Sequence, residues 1–125
     1  MPKLAMWRRI GPAMAVLGLA CAALPAAALD CPIPQPNATA GVIREPAAQI
    51  DRLAGLLGTG DVANRVPDIV RDLRQRYPAA GSADIVNYLV TAYCPVVNQL
   101  TGLGEAEKQA RLAAFSSTVM AATGP

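Results

Sequence analysis

Histidine is missing from all 125 residues, and a large body of chemistry goes with it. Without an imidazole, Ser116 and Ser117 lack the partner that most often activates a hydroxyl nucleophile. The same absence removes the mixed Cys and His sets that hold zinc. There is no Cys-x-x-Cys-His run for haem attachment, no closely spaced dithiol and no glycine-rich phosphate loop. Carboxylates fall mainly opposite arginines on helix faces, and they are too scattered for a hard-cation loop or a paired-carboxylate site. Alternating strand patterns, internal repeats and low-complexity tracts beyond the first residues are absent too. The expectation is a protein that is not an enzyme and needs no cofactor.

What the chain does have begins at its start. Lys3, Arg8 and Arg9 precede an uncharged run from Ile10 to Leu29, and Ala26, Ala27 and Ala28 supply the small residues that a signal peptidase requires. Residues 1–28 therefore read as a secretory signal peptide cut after Ala28. An uncleaved membrane anchor is the competing reading, because about 20 uncharged residues suffice to span a bilayer. Pro12, Pro25 and the alanine richness weigh against it. Arg8-Arg9 lacks the rest of a twin-arginine signal, and Gly18 stands where a lipid-attachment motif around Cys21 wants a leucine-like residue.

Removing the signal changes the charge. The whole chain carries +2, whereas residues 29–125 carry eight basic and nine acidic side chains, a net −1. Overall charge thus gives no attraction to nucleic acid, and a membrane role is left only to an uncleaved signal. The 97 remaining residues make one domain. Arginine outnumbers lysine nine to two and alanine is abundant, a composition that suggests a GC-rich bacterial genome and a periplasmic or secreted protein.

Cys21 leaves with the signal, and Cys31 and Cys94 remain. In an oxidising compartment two such cysteines form one disulfide. Closing so long a loop stabilises a fold by about 4 kcal/mol in the chain-entropy model. Pro32, Pro34 and Pro36 fix φ at alternate positions and remove amide donors, so residues 29–44 read as an extended Pro-rich strap pinned by Cys31. A polyproline ligand is the alternative for this run. Asn37-Ala38-Thr39 has the spelling of a glycosylation sequon, which in a bacterial protein is most often coincidence.

Residues 45–125 read as the helical domain. Ile50, Leu53, Leu56 and Leu57 recur at helical spacing behind Pro46, and Gly58-Thr59-Gly60 stops that helix. A second runs from Asp61 to Tyr77 on Val62, Val66, Ile69, Val70 and Leu73, interrupted or restarted at Pro67, with Asp–Arg neighbours on its outer face and Pro78 at its end. Ser82 is placed to cap a third. Its body, Ile85 to Leu100, is apolar on most of its circumference and belongs in the middle of a bundle; Pro95 is expected to bend or restart it. A fourth runs from Glu105 to about Ala122 on Leu112, Phe115 and Val119, with Glu105 and Glu107 favoured by the dipole of its first turn. The fold expected is all-α: a small disulfide-linked bundle or array of about four helices, preceded by the extended segment.

Two groups of residues stand out as candidate sites. Asp84, Asn87, Thr91, Cys94 and Asn98 stack along one face of the third helix. Since Cys94 lies on that stripe, the strap should cover it, with Asn87, Thr91 and Asn98 bonding strap backbone groups; a polar ligand groove is the alternative. Arg71, Arg74 and Arg76, beside Tyr77, form the densest single-sign patch. They serve either their own helix dipole or the docking of an acidic partner.

The functional expectation is an exported, non-catalytic interaction or binding module, an accessory subunit of the bacterial envelope whose partner is another envelope protein. A second reading comes from layout. A signal, a helical mature chain under 100 residues, the Cys31 and Cys94 pair and a polar final helix together resemble the small periplasmic acid-stress chaperone family. That resemblance implies unfolding and exposure of apolar helix faces when carboxylates protonate. Carriage of a small apolar ligand between helices is a third.

Overall fold

The computed structural model describes residues 28–31 and 43–125. Residues 1–27 of the expected signal and residues 32–42 of the expected Pro-rich strap lie outside the described residues. Four helices follow one another: α1 (Ala47–Leu57), α2 (Val62–Arg76), α3 (Ser82–Asn98) and α4 (Glu105–Thr123). No strand occurs among the described residues, and no helix among them is long and apolar enough to cross a membrane. The chain is an all-α array with α3 at its centre, packed against both α1 and α4, while α2 closes on α4.

The connections explain where each helix stops. Gly60 and Gly102 adopt φ of +88° and +79°, a left-handed conformation that only glycine takes without strain, and each turns the chain between two helices. α3 and α4 start alike. Gly81 and Gly104 are extended N-caps, and their amides donate to Asp84 Oδ2 and Glu107 Oε2, each at 2.8 Å. The third residue's carboxylate thus satisfies the N-cap amide, as in half of a capping box. This corrects the placement of Ser82 as a cap: it is the first residue of the helix, and the extended Gly81 before it is the N-cap, its amide held by Asp84.

Both prolines inside helices are tolerated. α2 runs through Pro67 and α3 through Pro95 without a break, against the expected interruptions. Each proline is exposed, so the lost amide costs a backbone bond on the outer side and disturbs no packing.

The core follows the apolar spacing. Leu57, Val66, Leu73, Ile85, Leu89, Val97 and Val119 are fully buried, with Ile43 and Tyr88 beside them. Fully burying side chains of this size is worth about 1.5–3 kcal/mol each. Tyr93 and Phe115 stack at 4.1 Å between centroids and tie α3 to α4. The inner row of α4 starts with a lysine: Lys108 is 2% exposed and continues the register of Leu112, Phe115 and Val119. Its ammonium donates to the carbonyl of Asn98 at 3.2 Å. A cation there offsets the negative end of the α3 dipole.

Candidate functional site

Cys31 and Cys94 form a disulfide with sulfurs 2.07 Å apart and Cα atoms at 5.6 Å. It joins the N-terminal segment to the C-terminal half of α3. Asn98, one turn further along, seals the same junction. Its Oδ1 accepts from the Leu29 amide at 2.8 Å, and its Nδ2 donates to the Leu29 carbonyl at 2.9 Å and to Cys31 Sγ at 3.2 Å. One amide side chain therefore pairs with both backbone groups of Leu29, as a neighbouring strand would. The disulfide points to an oxidising, non-cytoplasmic compartment.

A second junction lies nearer the start of α3. Glu45 immediately precedes Pro46, the N-cap of α1, and its side chain is 3% exposed. The Arg76 guanidinium and the Tyr88 hydroxyl both donate to it, and the Tyr77 hydroxyl reaches Oε1 at 3.2 Å. Tyr77 also donates to the Arg44 carbonyl at 3.0 Å. Arg76 is held in turn by Asp72 Oδ2 at 2.7 Å and lies 5.4 Å from the Tyr77 ring centroid. A buried carboxylate is tolerated only when charge and hydrogen bonds compensate it, and this one has all three donors. The phenols pay in acidity. Burial, then the hydrogen bond to Glu45 and its charge, push Tyr88 well above the ordinary phenol range, and burial followed by the Glu45 charge raises Tyr77. The hydrogen bonds to Asp72 and Glu45 raise Arg76 above the usual guanidinium value, so it stays charged.

These contacts account for the basic patch. Arg76 and Tyr77 belong to the Glu45 junction. The Arg74 guanidinium donates to the Thr123 carbonyl, at the last residue of α4, and so it compensates the dipole of α4 and not that of its own helix. Arg71 alone faces outward, paired with Asp68 at 2.9 Å. Arg71, Arg74, Arg76 and Tyr77 thus all have partners within the chain. The patch is a set of braces.

The polar stripe of α3 divides. Asp84 caps the helix and Asn98 holds Leu29, whereas the Thr91 hydroxyl donates to the Asn87 carbonyl of its own helix at 2.8 Å, so it is no donor to the strap. Asn87 is exposed and lines a cleft of about 510 Å³ between α3 and α4. Val86, Val90 and Leu112 supply apolar lining, Asn87, Gln109 and Ser116 polar lining, and Ala28, Leu29 and Asp30 also line it. A second hollow of about 390 Å³ shares Val86 and Asn87 and continues to Met120 and Thr123. Met120 is 52% exposed. The two hollows adjoin at Val86 and Asn87 along the α3–α4 seam.

The groove was only half visible in the sequence, through Asn87. Tyr88 and Met120 carry no signal beyond helical spacing. The one clue to Glu45 is local: a glutamate before Pro46 is disfavoured from entering the helix, so its side chain is free to turn inward.

Compared with known proteins, the chain matches no family model, and no curated protein or solved structure is significantly similar to it.

Proposed function

We propose that this is an exported, non-catalytic binding module of the bacterial envelope that takes an apolar segment of another envelope protein into the α3–α4 groove. The observation that carries this reading is that two hollows on the α3–α4 seam share Val86 and Asn87, with apolar, amide and hydroxyl lining and the exposed Met120 in the second. Methionine adapts its shape to varied partners, and side-chain amides at an apolar groove supply orientation. The basic patch gives little support to a different docking face, since its members are committed within the chain. The oxidising compartment indicated by the disulfide, together with residues 1–28, supports a periplasmic or secreted location.

Photo-crosslinking in intact cells tests it. A photoreactive residue at Asn87 or at Met120 should give the same discrete adduct, and one at Asp51 on the exposed side of α1 should give none. An adduct from Asp51 with none from Asn87 and Met120 would move the binding face elsewhere.

The Glu45 junction favours the acid-stress reading as a second function. A buried carboxylate there ties the start of α1 to Arg76 at the end of α2 and to Tyr88 in α3, the kind of contact whose loss in acid that reading requires. Tight near-ultraviolet signals persisting at about pH 2 would count against it.

A further inference from the structure

The expected cleavage point falls within the described residues, and Ala28 is exposed. Leu29 is half-buried, and both of its backbone groups are held by Asn98. Cleavage after Ala28 would release the same nitrogen that Asn98 holds. Hydrolysis of that peptide bond by a signal peptidase adds water across it: the oxygen goes to a new Ala28 carboxylate, and the Leu29 nitrogen becomes an ammonium.

We propose that the Ala28–Leu29 bond is the processing site and that the new α-ammonium of Leu29 becomes a structural cation, bound by Asn98 Oδ1 at the C-terminal end of α3. Three observations converge on it. The Leu29 nitrogen already donates to that oxygen at 2.8 Å. Asn98 is the last residue of α3, where the negative end of the helix dipole favours positive charge. Asp30 and Glu105 line the same cleft as Leu29 and add negative potential, while the one neighbouring cation, Lys108, is occupied on the Asn98 carbonyl. Removing Ala28, which also lines the cleft, opens that end of the groove. Processing then does more than release the protein: it completes the fold and the site together. The inference rests on the export reading above.

The sequence makes the test unusually clean. Lys108 is the only lysine after residue 28, so the mature protein has two amines, and Asn98 touches both. The full chain is expressed with its own N-terminus, the exported product is purified, and intact mass identifies its first residue. Its amines are then labelled with acetic anhydride, native and in urea. The expected product starts at Leu29, with the α-amine reacting about tenfold more slowly in the native protein than in the unfolded chain, the protection a hydrogen bond to a charged group provides. Asn98→Ala should bring the native rate back toward the unfolded one. Asn98→Asp keeps the acceptor oxygens and should preserve the protection, so the test survives if the alanine variant fails to fold. A product starting at Leu29 with an unprotected amine overturns the inference and leaves export standing. A product starting elsewhere, or an exported chain left uncut at 12.9 kDa, overturns the inference too, whereas a chain retained uncut in the cytoplasm overturns the export reading with it.

Discussion

At the C-terminal half of α3 the N-terminal segment is held by a covalent bond and a neutral amide, whereas nearer the start of that helix it is held by a buried charge. Cys94 and Asn98 serve the first junction and Tyr88 the second. Ten residues of helix separate Tyr88 from Asn98, about 15 Å. The two junctions clamp the same segment to the same helix, yet they fail under different conditions. Reductant attacks one. Changes in protonation attack the other. A small domain with a limited core gains from such a division, because neither condition alone releases the whole segment.

Breaking the covalent junction should have the largest effect. Reducing Cys31–Cys94, or replacing both by serine, should cost about 4 kcal/mol, seen as a lower urea midpoint and a melting temperature lower by roughly 15–30 °C for a domain of this size. Glu45→Ala should cost less, about 2 kcal/mol, because it leaves the buried Tyr88 hydroxyl without its acceptor, whereas Tyr77 keeps the Arg44 carbonyl and Arg76, 40% exposed, keeps Asp72. The same variant should leave the disulfide intact by thiol titration.

A third comparison uses alkali. In the unfolded chain Tyr77 and Tyr88 ionise near the ordinary phenol value of about 10, and in the folded protein both are raised. Below about pH 10 both states hold the protons and stability is unaffected. Above it the unfolded chain releases protons that the folded one keeps, so stability falls as pH rises. Urea unfolding at about pH 9 and about pH 11 should show this loss, and Glu45→Gln should make it shallower by removing the charge that opposes the phenolates. The smallest effect belongs to Arg71→Ala, which removes only an exposed pair with Asp68 and should change stability by less than about 0.5 kcal/mol. It should also leave crosslinking from Asn87 unchanged.

The helices were legible because their evidence is local. Ile50, Leu53 and Leu57, or Val66, Val70 and Leu73, mark one face by spacing alone, and glycine and proline mark the ends. The pairing of Cys31 with Cys94 was legible by counting. The Glu45 junction was not, because it is assembled from the start of α1, the end of α2 and the middle of α3, and no window of sequence contains all three. Lys108 was hidden differently. Its register with Leu112 and Phe115 was visible, but a lysine on an apolar row usually reads as a solvated end, and its burial depends on the Asn98 carbonyl arriving from another helix. For the basic residues 71–76 the local partners Asp68 and Asp72 lie within the same helix, whereas Thr123 and Glu45 lie 49 and 31 residues from Arg74 and Arg76, beyond any local signal.

Urea unfolding of the exported protein and its Glu45→Gln variant, each oxidised and reduced, tests the two-junction account most directly. The account predicts that reductant destabilises both proteins, by amounts that agree within about 0.5 kcal/mol, because the junctions share no residue and act separately. A wild-type protein as stable reduced as oxidised would contradict it.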